Sequence, residues 1–288
     1  MKNPILIALM LVLLVSRGRS QLGPSSESGP DIRNVRSTLF EQSAAQALDR
    51  DFRSPGISFL LLDAQTRAVL TSRWEHPEKP IPLGSLVKPF AALAYGEQHA
   101  FRYPVHHCRG TATGCWLPRG HGQVDLASAI AHSCNSYFRA LTASLAASDV
   151  SPTATRFGLE TPPSDVPGSA LFGLSDRWAI SPLNMARAYL ELLRRREQPG
   201  VERILAGMEQ SAKLGTGAEV DRALPYPDAL VKTGTASCTH TVHAPGDGFT
   251  VAIFPANRPK ILLMVRVHGV PGAEAAKVAG AMLRRMEN

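Results

Sequence analysis

The stretch GSLVKPF, residues 84–90, holds a serine and a lysine that could form a nucleophile and its base. On a helix, Ser85 and Lys88 would lie on one face and within reach of each other. A serine hydroxyl attacks a carbonyl only when a base takes its proton, and a lysine can be that base if burial lowers its pKa. Val87 and Phe90 favour such burial. One Ser-x-x-Lys match is expected on the order of once per chain of this length, so it indicates little alone.

Two further motifs support a catalytic interpretation. The motif SCN, residues 133–135, lies between two segments with helical patterns, and KTGT, residues 232–235, lies in a predicted strand. Each motif occurs once in the chain. The order Ser-x-x-Lys, Ser-x-Asn, Lys-Thr-Gly is the signature of serine enzymes that react with penicillin.

The resemblance extends beyond the three motifs, from about residue 54 to the C-terminus. The chain resembles the transpeptidase domain of penicillin-binding proteins. The segments that carry this resemblance are GSLVKPFAALA (84–94), HSCNSYF (132–138), ISPLNMARAYLELL (180–193), GMEQSAKLGTGAE (207–219) and VKTGTA (231–236). The resemblance implies a D,D-transpeptidase or D,D-carboxypeptidase that acts on peptidoglycan stem peptides and that β-lactam antibiotics inhibit covalently.

The resemblance also implies a catalytic role for four residues. Ser85 would attack the D-Ala-D-Ala carbonyl and become acylated, and Lys88 would accept the proton of its hydroxyl. Ser133 would pass a proton to the nitrogen of the leaving D-alanine. Lys232 would supply positive charge that keeps Lys88 neutral.

Four residues of the second and third motifs are implied to bind substrate. Asn135 would hold a substrate amide, and the hydroxyls of Thr233 and Thr235 would bind the terminal carboxylate. Backbone N–H groups of Ser85 and Thr235 would form the oxyanion hole. Gly234 has no side chain, so substrate could lie against the strand as an additional partner. No metal and no cofactor are expected.

Two alternatives remain open at this stage. A serine β-lactamase needs a base that positions water, and the nearest carboxylates, Glu160 and Asp165, lie in FGLETPPSDVPG (157–168), which does not reproduce the glutamate loop of one β-lactamase class. We interpret both as solvated loop acids. Another class carboxylates the lysine of the nucleophile helix but has an aliphatic residue at the position of Asn135. The second alternative is a non-catalytic β-lactam-sensing or wall-binding module that remains acylated.

The pattern of elements predicts an α+β fold. Helical spacing is present at residues 35–49 and 180–196, and a closing helix is predicted at 273–286. Connections between the last strands are too short for parallel crossovers, so we predict a five-stranded antiparallel sheet flanked by N- and C-terminal helices. A mostly helical subdomain, about residues 84–215, is inserted into it. The predicted strands are residues 56–63, 67–72, 229–237, 248–255 and 260–268.

The N-terminal residues predict export. Residues 1–20 combine a basic start with an apolar run too short to span a bilayer comfortably, which is typical of a secretory signal, and residues 21–33 read as a flexible lead-in. The catalytic domain would then be residues 34–288. Loss of the signal removes three basic residues and no acid, which lowers the net charge from +7 to +4 and gives no argument for nucleic acid. We expect a periplasmic or extracellular protein, or one held at the membrane if the signal is retained, with no further membrane span.

Export permits disulfides, and the chain has four cysteines. Cys108 and Cys115 flank a short loop and are predicted to pair. The alternative is a zinc site with the neighbouring histidines, although the spacing matches none of the usual structural zinc patterns. Cys134 and Cys238 are far apart in sequence and are interpreted as two buried thiols. The neighbouring histidines are His106, His107 and His121.

Overall fold

Nine strands and nine helices follow one another along the part of the chain that the computed structural model describes, residues 43–238 and 246–287. The described part lies within one compact unit, Leu39–Asn288. The strands are β1 (Ile57–Asp63), β2 (Val69–Arg73), β3 (Ile81–Pro82), β4 (His106–Cys108), β5 (Gly122–Val124), β6 (Ala179–Ile180), β7 (Leu230–Ala236), β8 (Asp247–Phe254) and β9 (Ile261–His268). The predicted signal, the lead-in and residues 35–42 of the predicted first helix lie outside the described residues.

The helices flank the sheet and fill the long segment between β2 and β7. They are α1 (residues 43–51), α2 (Lys88–Gln98), α3 (Leu126–Ala131), α4 (Asn135–Leu141), α5 (Ala147–Arg156), α6 (Pro182–Arg194), α7 (Val201–Leu214), α8 (Ala218–Ala223) and α9 (Gly272–Glu287). None of the helices in the described ranges is both long and apolar enough to cross a membrane.

Five strands form one antiparallel sheet in the order β2-β1-β9-β8-β7. The strands come from the two ends of the described chain, with the helical segment inserted between them, so the predicted α+β fold class is confirmed. Two short ladders, β3 with β6 and β4 with β5, lie within the inserted segment. Strand β7, which carries the third motif, lies at the edge of the sheet.

The sheet has a hydrophobic core on each face. Successive side chains of a strand point to opposite faces, and in β1 Phe59 and Leu61 belong to one core while Leu60 and Leu62 belong to the other. The first core includes residues of α1, α8 and α9, and the second includes residues of the inserted helices. Coverage of both faces explains why all eight residues of β8 are buried.

Helix α6 shows how local sequence signals set an element of the inserted segment. The side chain of Ser181 caps the helix by accepting a hydrogen bond from the backbone N–H of Asn184 at 3.1 Å, and Pro182 occupies the first turn. Met185, Tyr189 and other apolar residues form a buried face, as the helical spacing predicts. The hydroxyl of Tyr189 reaches from this face to the first motif.

Candidate active site

The first motif forms a tight turn that leads into α2. Gly84–Val87 is a 3-10 turn, and α2 begins at Lys88. The turn is held at its end by the buried hydroxyl of Tyr189, which donates to the backbone oxygen of Leu86 at 2.9 Å. A side chain from α6 therefore fixes the backbone that carries Ser85.

We expect Tyr189→Phe to lower the free energy of unfolding by about 1–2 kcal/mol, because the Leu86 carbonyl loses a buried donor while the ring packing is preserved. Urea unfolding measures this change. Tyr226→Phe is the matched control, since Tyr226 is 79% exposed. Equal effects of the two substitutions would show that the Tyr189 hydroxyl does not support the turn.

Gly84 allows the nucleophile turn and strand β7 to meet. Its φ is +55°, and a Cβ at this position would lie 2.1 Å from the backbone oxygen of Thr235. Gly173 is packed against the turn in the same way, because its Cβ would lie 2.1 Å from the oxygen of Gly84. The missing side chain of Gly84 therefore lets the backbone of β7 approach the nucleophile turn.

Two buried lysines meet at Ser133. Lys88 Nζ donates to the backbone oxygen of Ser133 at 2.8 Å, to Asn135 Oδ1 at 2.6 Å and to Ser133 Oγ at 3.3 Å. Lys232 Nζ donates to the same Ser133 Oγ at 3.0 Å and to the oxygen of Thr233 at 2.7 Å. The structure therefore brings residues of all three motifs into one hydrogen-bonded group.

Burial lowers the pKa of both lysines. Neither lysine is exposed, and desolvation lowers the pKa of Lys88 to about 7, an effect that the nearby Cys134 and Cys115 partly oppose. The pKa of Lys232 lies well below its ordinary value, first because of burial and then because of the charge of Lys88. Near neutral pH a substantial fraction of Lys88 is uncharged and able to accept a proton.

Ser133 has a strained backbone. Its φ is +49°, in the left-handed region, which costs a residue other than glycine about 1–3 kcal/mol. The turn between α3 and α4 is fixed by backbone bonds from Ser133 N to Ile130 O at 3.2 Å and from Cys134 N to Ala129 O at 2.9 Å. Asp125 caps α3 through its bond from Ser128 N at 2.9 Å, which anchors the start of this segment. In this conformation the Ser133 hydroxyl lies within hydrogen-bond distance of both lysines.

A cavity of about 180 Å³ opens beside this group. Six predicted site residues line it: Ser85, Ser133, Asn135, Thr233, Gly234 and Thr235. Ser85 is partly exposed there, and in the described part of the chain no hydrogen bond joins its hydroxyl to Lys88, Ser133 or Lys232. The structure thus places Ser85 at the same cavity as Ser133, and proton transfer from Ser85 to Lys88 stays a prediction.

The cavity also has residues to which the sequence analysis gives no role: Trp116, Leu174, Thr216, Pro271, Gly272 and Ala273. Thr216 Oγ1 lies 2.6 Å from Thr233 Oγ1, and the backbone N–H of Gly272 donates to Thr235 Oγ1 at 3.0 Å. Thr216 lies in a segment that carries the family resemblance, which is the one signal that could have found it. The other residues reach the cavity only through tertiary packing.

Gly234 packs closely against the nucleophile turn. A Cβ on Gly234 would lie 2.6 Å from the backbone oxygen of Leu83 and 3.0 Å from Leu86 Cγ. The missing side chain therefore leaves room for the nucleophile turn, and substrate binding along this strand stays a prediction. Gly234 still lines the cavity through its backbone.

Neither acid of the 157–168 loop lines the cavity. Asp165 is exposed and paired with Arg177 at 2.5 Å, as expected of a solvated loop acid. Glu160 Oε1 accepts from Asn184 Nδ2 at 3.1 Å, whereas its Oε2 is buried without a hydrogen-bond partner among the described residues. The interpretation of Glu160 as a solvated acid was therefore wrong.

The predicted disulfide is not formed. Cys108 and Cys115 are free thiols, and the Sγ of Cys134 lies 3.8 Å from that of Cys115, a contact that no local sequence pattern predicts. Cys134 is buried as predicted, but Cys238 is partly exposed. The predicted pairing of Cys108 with Cys115 rests on local spacing alone. The turn between α3 and α4 brings the thiol of Cys134 to the same place.

The fold and these motifs define the class of serine penicillin-recognising proteins. A sequence model of the penicillin binding protein transpeptidase domain matches residues 57–286, and the chain belongs to this family. No curated protein matches the chain by sequence.

Solved structures of the family have the same fold. The transpeptidase domain of Burkholderia pseudomallei penicillin-binding protein 3 is 17% identical, with a TM-score of 0.66 over 89% of this chain and 96% of that chain. Pseudomonas aeruginosa PBP2, solved in complex with WCK 5153, is 20% identical, with a TM-score of 0.68 over 86% of this chain and 73% of that chain. PBPA from Mycobacterium tuberculosis is 17% identical, with a TM-score of 0.65 over 86% and 79%. At these sequence identities the structural similarity shows a shared fold and nothing further.

Proposed function

We propose that the chain is a serine acyltransferase that acts on D-Ala-D-Ala stem peptides of peptidoglycan, as a D,D-transpeptidase or a D,D-carboxypeptidase. The observation that carries this proposal is the position of the Ser133 hydroxyl between two buried lysines, beside a cavity that Ser85 lines. Membership of the transpeptidase family supports the substrate class.

In the first half of the reaction, the Ser85 oxygen attacks the carbonyl carbon of the penultimate D-alanine. Neutral Lys88 takes the hydroxyl proton, and burial favours this neutral form. The oxyanion that forms would accept from the N–H groups of Ser85 and Thr235. The close approach of Gly84 to the Thr235 backbone supports this pairing, and such donors are worth roughly 3–4 kcal/mol each.

The second step expels D-alanine and leaves an ester on Ser85. The leaving nitrogen needs a proton, and Ser133 can supply it because its hydroxyl contacts both Lys88 and Lys232, which can replace that proton. An amine or water then attacks the ester and restores the Ser85 hydroxyl. The product is a cross-link in the first case and a shortened peptide in the second.

The cavity lining favours slow hydrolysis over β-lactamase activity. Among the described residues that line the cavity there is no aspartate, glutamate or histidine that could position water. The acyl-enzyme formed with a β-lactam should therefore persist. Opening of a β-lactam ring also protonates the expelled nitrogen, so a sensing module would need the same lysine–serine group, and release of D-alanine separates an enzyme from such a module.

Mass spectrometry with a stem pentapeptide tests the proposal. We expect release of one D-alanine per turnover, and an added D-amino acid acceptor should give a product that carries the acceptor if the protein is a transpeptidase. Shortened peptide alone would identify a carboxypeptidase. Stable acylation without release of D-alanine would contradict both activities, and turnover of nitrocefin far beyond one equivalent would identify a β-lactamase.

We also propose that the protein acts outside the cytoplasm, since its proposed substrate is there. The signal-like pattern of residues 1–20 supports export. Cell fractionation with an antibody to the catalytic domain measures the location, and recovery in the cytoplasm alone would contradict export.

A further inference from the structure

Three thiols and an imidazole converge next to the second motif. Cys108 ends β4, Cys115 follows the short turn after it, His121 directly precedes β5, and Cys134 lies in the turn between α3 and α4. One ligand atom from each residue lies within 4.8 Å of the other three. All three cysteines are buried free thiols.

The spacing of these atoms fits a tetrahedral metal centre. Zn–S bonds of about 2.3 Å and a Zn–N bond of about 2.0–2.1 Å place two sulfurs about 3.8 Å apart, and a sulfur and a nitrogen about 3.6 Å apart. The sulfurs of Cys115 and Cys134 are 3.8 Å apart. Nδ1 of His121 lies 3.6 Å from the sulfur of Cys108 and 3.5 Å from that of Cys115.

We propose that Cys108, Cys115, His121 and Cys134 bind one Zn²⁺ ion. Cys₃His is a common donor set of structural zinc sites, and soft thiolates with imidazole suit zinc. Binding forms three Zn–S bonds and one Zn–N bond while the three thiol protons go to solvent. The complex of three thiolates and Zn²⁺ carries one net negative charge.

The orientation of His121 supports its role as a ligand. Its Nε2 is buried and has no hydrogen-bond partner in the ranges that the structure describes, so Nδ1 is the ring nitrogen with polar neighbours, and these are thiols. The ring packs between His132, at a centroid distance of 5.2 Å, and Trp116, at 5.5 Å. These contacts hold Nδ1 toward the sulfurs.

The site would join two walls of the active-site cavity. Cys134 lies between Ser133 and Asn135, and Cys115 precedes Trp116, whose Nε1 donates to the backbone oxygen of His132 at 3.1 Å. A metal ion bound to both segments would hold the strained turn of Ser133 against the loop that carries Trp116. The zinc proposal does not depend on the proposed acyl transfer, because metal binding is measured without substrate.

Metal content of the purified full chain tests this proposal. We expect inductively coupled plasma mass spectrometry to find one zinc per chain, and Cys108→Ser and Cys115→Ser each to lower this content at least about tenfold. Cys238→Ser is the matched control, because Cys238 lies outside the cluster, and it should retain the zinc.

A second measurement covers variants that fail to fold. In native protein, exchange of zinc for Co²⁺ should give the visible bands of tetrahedral cobalt and thiolate-to-cobalt charge transfer. Chelation should lower the melting temperature by at least about 10 °C, and added zinc should restore it, because the metal binds the folded chain.

Three results would overturn the proposal. One is protein purified from cells grown with zinc that is folded, contains no zinc and has free thiols at the cluster cysteines. Another is an intact mass that is two hydrogens lower without reductant, which would show a disulfide among the cluster cysteines. The third is zinc that survives Cys108→Ser but is lost in Cys238→Ser, which would place the metal near Asp247 and His268 instead.

Discussion

Ser85→Ala should reduce the incorporation of labelled penicillin from one equivalent per chain to background. The acyl-enzyme is an ester on the Ser85 oxygen, and Ser85 lies at the cavity, in the turn that packs against the β7 backbone. The substitution should leave the fold intact, since no hydrogen bond of the Ser85 hydroxyl is found in the described part of the chain. Peptide mapping by mass spectrometry measures the site and its occupancy.

Two variants control this experiment. Ser144→Ala removes an exposed hydroxyl elsewhere and should react like the wild type. Ser85→Cys keeps a nucleophile at the same place and should retain some acylation. Label on Ser133 in the wild type, or full labelling of Ser85→Ala, would contradict the assignment of the nucleophile and with it the proposed mechanism. Neither result would bear on zinc binding, so the two proposals can fail separately.

The sheet and its helices could be predicted because their signals are local. Residues 260–268 combine aliphatic and β-branched residues, and the structure has β9 at Ile261–His268. Ser181 and Pro182 mark the start of α6 within two residues of the predicted start. The motifs themselves suggested the site because the order of three short segments is specific even when each segment alone is not.

Contacts between distant segments could not be predicted in this way. The sequence shows Cys108 and Cys115 as neighbours, but nothing local places Cys134 beside them, because that contact depends on the turn between α3 and α4. The contact of Gly234 with Leu83 could not be predicted for the same reason, since strand alternation does not tell which face of β7 meets Leu83. In both cases packing, rather than local pattern, decides what the residue does.

Lys88→Met should lower the rate of penicillin acylation by about 10²- to 10⁴-fold, the range that a positioned base contributes. Methionine matches the length of the buried lysine but cannot accept the Ser85 proton. In the wild type the rate should rise with pH up to about 7, where Lys88 loses its proton, and then level off. The variant should lack this dependence, and stopped-flow acylation across pH measures both. Lys79→Met, at an exposed position, should keep the wild-type profile.

The same pKa gives an independent test through stability. The folded protein holds Lys88 at a pKa of about 7 against an ordinary value of 10.5, so between these values the unfolded chain binds one more proton. The free energy of unfolding of the wild type should therefore rise with pH relative to Lys88→Met, on the order of 1 kcal/mol per pH unit in this window. Urea unfolding at several pH values measures the difference. A constant difference would mean that Lys88 titrates normally, and Lys88 could then not be the base that activates Ser85.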